Sequence, residues 1–164
     1  KKEIFVSKEY LERLNNPTKW TKEILSSYLS PSRTICSVIS TKSIGLGGFI
    51  LTIRFLDKNI QNQHHVERLK LLTTEVTEFK GITGMHVLLG DSSYGQMNTE
   101  EKKHRSSQGK NDQIISQALI IEGLNLNSLK IVLNYLDNKI LLNQDKSIIS
   151  NFYSCQHVLE KSDL

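Results

Sequence analysis

Residues Phe49 to Phe55 read FILTIRF, and the rest of the chain is interpreted outward from them. Successive side chains of an extended strand point to opposite faces, so Phe49, Leu51, Ile53 and Phe55 share one side. Ile50, Thr52 and Arg54 occupy the other. A sheet with one face against helices produces this alternation. Just upstream, Gly45, Gly47 and Gly48 mark a turn, and Thr34 to Ser40 is rich in β-branched residues and reads as a further strand.

Downstream, Asn62 opens an amphipathic helix in which Val66, Leu69, Leu72 or Thr73, Val76 and Phe79 recur at three and four, with Gly81 placed to end it. Met85 to Leu89 is a strand in which His86 sits beside Val87 on the opposite face. Residues 91–111 form a polar excursion, either a lid or a loose connection. It holds one short helical signal, Thr99 followed by Glu100 and Glu101 and then by Lys102, Lys103 and Arg105, an order that suits the helix dipole. Ile114 to Ile121 is the next strand. Asn125 or Asn127 caps a helix with Leu129, Val132, Leu133 and Leu136 inward, and Ile148 to Leu159 is the last strand.

From residue 49 to 159 the order is strand, helix, strand, strand, helix, strand. This is the split βαβ of an α+β, ferredoxin-like fold: four antiparallel strands with both helices on one face. Glu3 to Val6 reads as the end of a strand, and Ser7 caps a helix with Tyr10, Leu11 and Leu14 on one side. Asn16 and Pro17 read as the N-cap and first turn of a second helix, with Trp20, Ile24, Leu25 and Tyr28 inward and Pro31 at its end. Residues 1–44 therefore read as the C-terminal part of a first repeat whose front half lies upstream of Lys1. Residues 45–164 are a complete second repeat.

Composition narrows the function classes. The 164 residues are 38% hydrophobic and 23% charged, far from a disordered composition. Lys and Arg total 21 against 17 Asp and Glu, giving a net charge of +4 spread along the chain rather than gathered into a patch. No run approaches the ~20 apolar residues that span a bilayer. The expectation is a soluble protein with no membrane partner, in the cytoplasm. Cys36 and Cys155 lie in apolar stretches without a paired spacing and read as buried, reduced thiols.

YLERLNNPTKWTKEI (Tyr10 to Ile24), GLGGFILTIRF (Gly45 to Phe55), GITGMHVLLGD (Gly81 to Asp91), TEEKKHR (Thr99 to Arg105) and ALIIEG (Ala118 to Gly123) carry a resemblance. Together they resemble an uncharacterised bacterial family of the dimeric α/β-barrel superfamily, the Dabb and EthD type. The resemblance runs from about Tyr10 to about Leu136 and implies a tandem of ferredoxin-like repeats. It implies no particular reaction, because the superfamily spans small monooxygenases, heme-degrading enzymes, lyases and proteins without known activity. Members often carry a Trp before the third strand, where this chain has Ile115 or Ser116.

In such barrels the ligand space lies between helices and sheet or inside the barrel, on the sheet face away from the helices. Alternation puts Arg54, His86 and Glu122 on that face. A fixed cation, a base and an acid converging there are suited to proton transfer. The bland alternative is an ion pair between Arg54 and Glu122 with His86 beside it. No pattern calls for a cofactor. His64 and His65 are adjacent and do not make an i, i+4 metal pair, so no metal is expected. The glycine run precedes a strand rather than a helix, which argues against a phosphate loop. Ser92 and Ser93 beside Asp91 lack the tight elbow of a serine nucleophile and read as loop residues.

The primary expectation is a small-molecule-binding α/β-barrel with proton-transfer or oxygenase-type activity. The alternative is a non-catalytic oligomerisation domain that self-associates through a sheet face filled by Ile50, Leu88 and Ile120. RNA binding is a third reading that a pI near 9.0 keeps open. It is disfavoured because Phe49 and Phe55 fall on the helix-packed face and leave no stacking platform on the other.

Overall fold

The computed structural model describes residues 2–27, 34–56, 63–91, 99–106, 114–140 and 147–156. It is α+β, with a five-stranded antiparallel sheet and five α-helices among the described residues. The contacts divide the chain into two compact units: Lys1–Ile35 with Asp91–Ile114, and Cys36–Gly90 with Ile115–Leu164.

The second unit holds the sheet. Its strands are β1 (Cys36–Ser43), β2 (Phe49–Phe55), β3 (Ile82–Gly90), β4 (Gln117–Gly123) and β5 (Ile148–Ser154), in the spatial order β1-β3-β4-β2-β5. Helix α3 (Gln63–Thr77) joins β2 to β3, and α5 (Leu126–Ile140) joins β4 to β5. The run from β2 to β5, with β2 and β4 central, is compatible with a ferredoxin-like arrangement. β1 is added outside β3.

The alternation in FILTIRF decides which face carries the core. Leu51, Ile53 and Phe55 are buried together with Met85, Val87, Leu119 and Ile121, and Phe49 packs at their margin. Leu69, Leu72 and Val76 of α3 and Leu129, Val132 and Leu136 of α5 close over them. Fully burying a side chain of this kind contributes roughly 1.5–3 kcal/mol, so this one face carries most of the unit's hydrophobic stabilisation. Helix α5 starts where the Asn125 side chain accepts a hydrogen bond from Ser128 N at 2.9 Å, which selects Asn125 over Asn127 as the cap. Gly81, at φ +84°, turns the chain from α3 into β3, where a Cβ would lie 2.4 Å from Ser128 Oγ.

Two β-bulges set the register. Val38 pairs with Leu88 and Ser40 with Val87, so Ile39 is the extra residue in β1. Ile82 pairs with Gly123 and Gly84 with Glu122, so Thr83 is the extra residue in β3. A bulge flips side-chain parity. That is why Ile82 and Met85 are both buried although they are three residues apart.

The glycine run does not make a tight hairpin turn. Residues 44–48 lead from β1 to β2 past the ends of β3 and β4, since those two strands lie between them. Three strand spacings of about 4.8 Å give ~14 Å, within the ~20 Å that the six steps from Ser43 to Phe49 can reach. Ile44 N donates to Thr83 O at 2.8 Å, and Gly47 packs so closely on Gly123 that a Cβ would stand 2.6 Å from Gly123 N.

The first unit contains α1 (Lys8–Asn15), α2 (Lys19–Ser27) and α4 (Glu100–Ser106), which pack together. Ser7 caps α1 by accepting from Tyr10 N at 3.3 Å, and Thr99 caps α4 by accepting from Lys102 N at 3.3 Å. Three expectations are corrected here. Lys2–Val6 is a 3-10 helix rather than the end of a strand, closed by Ser7 N donating to Ile4 O. Asn16 is the C-cap of α1, and Thr18 caps α2 by accepting from Thr21 N at 3.1 Å. Trp20 is 70% exposed rather than inward, because a helix stripe gives the relative direction of side chains and not what covers them. Tyr28, Pro31, Asn62, Ser92, Ser93 and the end of the last expected strand lie outside the described residues.

Candidate functional site

The sheet face away from α3 and α5 carries a row of side chains across all five strands. Thr41 is opposite His86, His86 opposite Ile120, Ile120 opposite Thr52 and Thr52 opposite Asn151. The neighbouring row holds Ser43, Gly84, Glu122, Ile50 and Tyr153. Glu122 is therefore diagonal to His86. Gly84, directly across from it, places no side chain in the intervening space.

His86 Nε2 lies 3.1 Å from Glu122 Oε1, and His86 Nδ1 lies 2.6 Å from Thr41 Oγ1. The other carboxylate oxygen, Glu122 Oε2, accepts from Gly47 N at 3.2 Å. His86 and Glu122 are 24% and 18% exposed, and Thr41 is exposed. A carboxylate only accepts, so in the neutral ring the proton on Nε2 is donated to Glu122 and Nδ1 presents its lone pair to the Thr41 hydroxyl. A base is thus oriented on one side by an acid and faces an exposed hydroxyl on the other.

The wide crossover positions this group. Because residues 44–48 pass over the end of β4, the Gly47 amide reaches Glu122; a two-residue hairpin turn would leave it far away. The close approach of Gly47 to the Gly123 backbone also requires that Gly47 carry no side chain.

Of the three residues singled out from sequence, His86 and Glu122 come together and Arg54 does not join them. Arg54 is opposite Ala118, two strands and two residues from His86, which is ~12 Å on standard sheet spacings. Its guanidinium donates to Asn151 Oδ1 at 2.5 Å. Arg54 Nε and its neighbour Thr52 Oγ1 are buried without a hydrogen-bond partner among the described residues. Unsatisfied buried polar atoms are costly, and a bound polar group would relieve them.

Sequence reasoning does not find Thr41 or Gly47. The bulge at Ile39 sets which β1 residue faces His86, and nothing local in the sequence reports it. The remaining singled-out residues behave as follows. His64 is exposed, while His65 is half-buried with its ring edge-on to Phe55 at 5.7 Å. Burial, then the charge of Arg68, pushes the His65 imidazole down from its ordinary value, partly opposed by a hydrogen bond with Gln117. No group of three metal-ligating side chains occurs among the described residues. Burial pushes the Cys36 thiol up, away from a reactive thiolate. Cys155 is exposed rather than buried, since it lies just beyond β5. On the central strands β2 and β4 this face bears no aromatic residue. No helix of the described residues is long and apolar enough to cross a membrane.

Fold and site together define an α+β protein with an oriented histidine on the face of an antiparallel sheet away from α3 and α5. No protein family model matches the chain, and no curated protein or solved structure is significantly similar to it.

Proposed function

We propose that the protein binds a small organic acid on the sheet face away from its helices and that His86, oriented by Glu122, transfers a proton there. The single observation that carries this reading is the run of hydrogen bonds from Thr41 through His86 and Glu122 to Gly47 N. A neutral imidazole whose proton is held on Nε2 is a ready base at Nδ1, and a positioned base of this kind contributes typically 10²–10⁴-fold to rate. Arg54 and Thr52, with buried atoms that have no partner among the described residues, are suited to an anionic group at the far end of a ligand that reaches from them to His86. A second ferredoxin-like sheet facing this one would give the dimeric α/β-barrel form that the sequence resembles.

The test begins with thermal unfolding in the presence of millimolar mono-, di- and 2-oxocarboxylic acids. A ligand at about ten times its Kd adds roughly 1.4 kcal/mol and raises Tm. Arg54→Gln should lose that rise. For the acid that binds, proton NMR in deuterated water then reads exchange of the C–H beside the carboxyl or, in a 2-oxo acid, beside the ketone. His86→Ala should slow exchange by roughly 100-fold. If no acid shifts Tm, or if exchange is equal in the variant, the reading fails. Ile50, Leu88 and Ile120 on the same face favour a second reading, a non-catalytic assembly surface. It expects the two proteins to behave alike in the exchange experiment and Ile120→Asp to change the oligomeric state.

A further inference from the structure

We propose that Thr41 is a nucleophile and that the site cleaves carboxylic esters through an acyl-threonine intermediate. This inference deepens the reading of His86 as a base and rests on it.

Thr41 Oγ1 is exposed, so a substrate can reach it, and it is the group at which the basic nitrogen of His86 points, at 2.6 Å. A threonine that merely satisfied a sheet-face histidine would require nothing behind the ring. Here the ring is held from behind by Glu122, and Glu122 is itself held by Gly47 N. Nucleophile, base and orienting acid within hydrogen-bond reach are the signature of an activated hydroxyl, whatever their order in the chain. The three come from β1, β3 and β4, rigid elements of one sheet. The bulge at Ile39 sets the register that brings Thr41 opposite His86. β1 is also the edge strand of the described sheet, so among the described residues no strand pairs with its outer side. The backbone N–H groups on that side are the nearest main-chain donors for an oxyanion formed at Thr41.

The chemistry balances without a cofactor. Thr41 Oγ bonds to the ester carbonyl carbon while its proton passes to His86 Nδ1. The carbon–oxygen bond to the alcohol then breaks, and the alcohol leaves with that proton, so the acyl group remains on Thr41. Water adds to the acyl carbon as it gives a proton to Nδ1. The intermediate collapses, Thr41 Oγ takes the proton back, and the carboxylic acid is released. The net change is ester plus water to acid plus alcohol.

The probe is p-nitrophenyl acetate, with p-nitrophenolate release followed optically and the acid-quenched protein examined by mass spectrometry. The expected result is an initial burst, one acetyl group on Thr41, and a loss of roughly 100-fold or more in Thr41→Val and in His86→Ala. Thr41→Ser should keep both burst and adduct, and circular dichroism should show all variants folded. Release that persists in Thr41→Val without an adduct, but falls in His86→Ala, overturns the nucleophile and leaves His86 acting on water. Release as fast in His86→Ala as in the wild type overturns both the nucleophile and the base. No release above buffer overturns the ester chemistry, while proton transfer is still decided by the exchange experiment.

Discussion

The two faces of the sheet are built from the same strands and differ in every physical respect. On one, Leu51, Ile53, Met85, Val87, Leu119 and Ile121 are completely buried under α3 and α5, and each is apolar. On the other, Thr52, Arg54, His86, Ile120 and Glu122 are half-buried, and two of their polar atoms lack partners among the described residues. The helix-packed face is apolar apart from Gln117, which is also fully buried. The other keeps half-buried polar groups where they cost stability, as the proposed ligand-binding surface would. Stability and chemistry are thus divided between alternate residues of each strand.

Three comparisons break or sharpen this contrast, in order of expected effect. Leu119→Ala on the helix-packed face should lower unfolding free energy by about 3 kcal/mol in urea, because it leaves a cavity among fully buried neighbours. Ile120→Ala, one residue along but on the other face, should cost roughly 1 kcal/mol. Equal losses would show that the two faces are packed alike.

Gly47→Ala should come next, at about 2 kcal/mol. Its Cβ would stand 2.6 Å and 2.8 Å from the Gly123 backbone, which cannot give way cheaply. The change should also loosen Glu122 and reduce the exchange and ester-cleavage rates together. Gly48→Ala, whose Cβ meets nothing within 4 Å, should stay within about 0.5 kcal/mol of the parent. Thermal unfolding of the pair decides the point.

The smallest effect concerns pH. His65 belongs to the helix side of the sheet and has its imidazole pushed below 6.5 by burial. The unfolded chain then takes up a proton more readily than the native one. The stability from neutral His65 is complete above pH 6.5 and is lost as pH falls below it. Because the ring is only half-buried, the loss stays under about 1 kcal/mol. His65→Leu should flatten that part of the stability profile. A steeper fall in the variant would reverse the sign assigned here.

Local signals made much of the fold legible. The period of two in FILTIRF assigned both faces of β2, and the stripes Leu69–Val76 and Leu129–Leu136 identified the helices that cover one of them. Ser7, Thr99 and Asn125 were readable as caps because a cap is a property of three or four consecutive residues. His86 and Glu122 were assigned to the correct face by the same alternation. Alternation says nothing about rows, so it could not separate Arg54 from them. Thr41 was hidden by the bulge at Ile39 and by a partner 45 residues away. Gly47 was hidden because a glycine run reads the same whether it closes a hairpin or bridges two intervening strands. Trp20 shows the complementary limit, since its helix position fixes a direction and not a neighbour.

The bridge formed by residues 44–48 has a kinetic consequence. β1 and β2 are consecutive in the chain, yet β3 and β4, from much later in the sequence, must lodge between them before Thr41, His86, Glu122 and Gly47 can meet. Such non-local closure is slow relative to helix or hairpin formation. A nascent or half-folded chain therefore carries all four residues but no oriented histidine, and the appearance of the proposed activity during refolding would mark the last strand insertion rather than the collapse of the core.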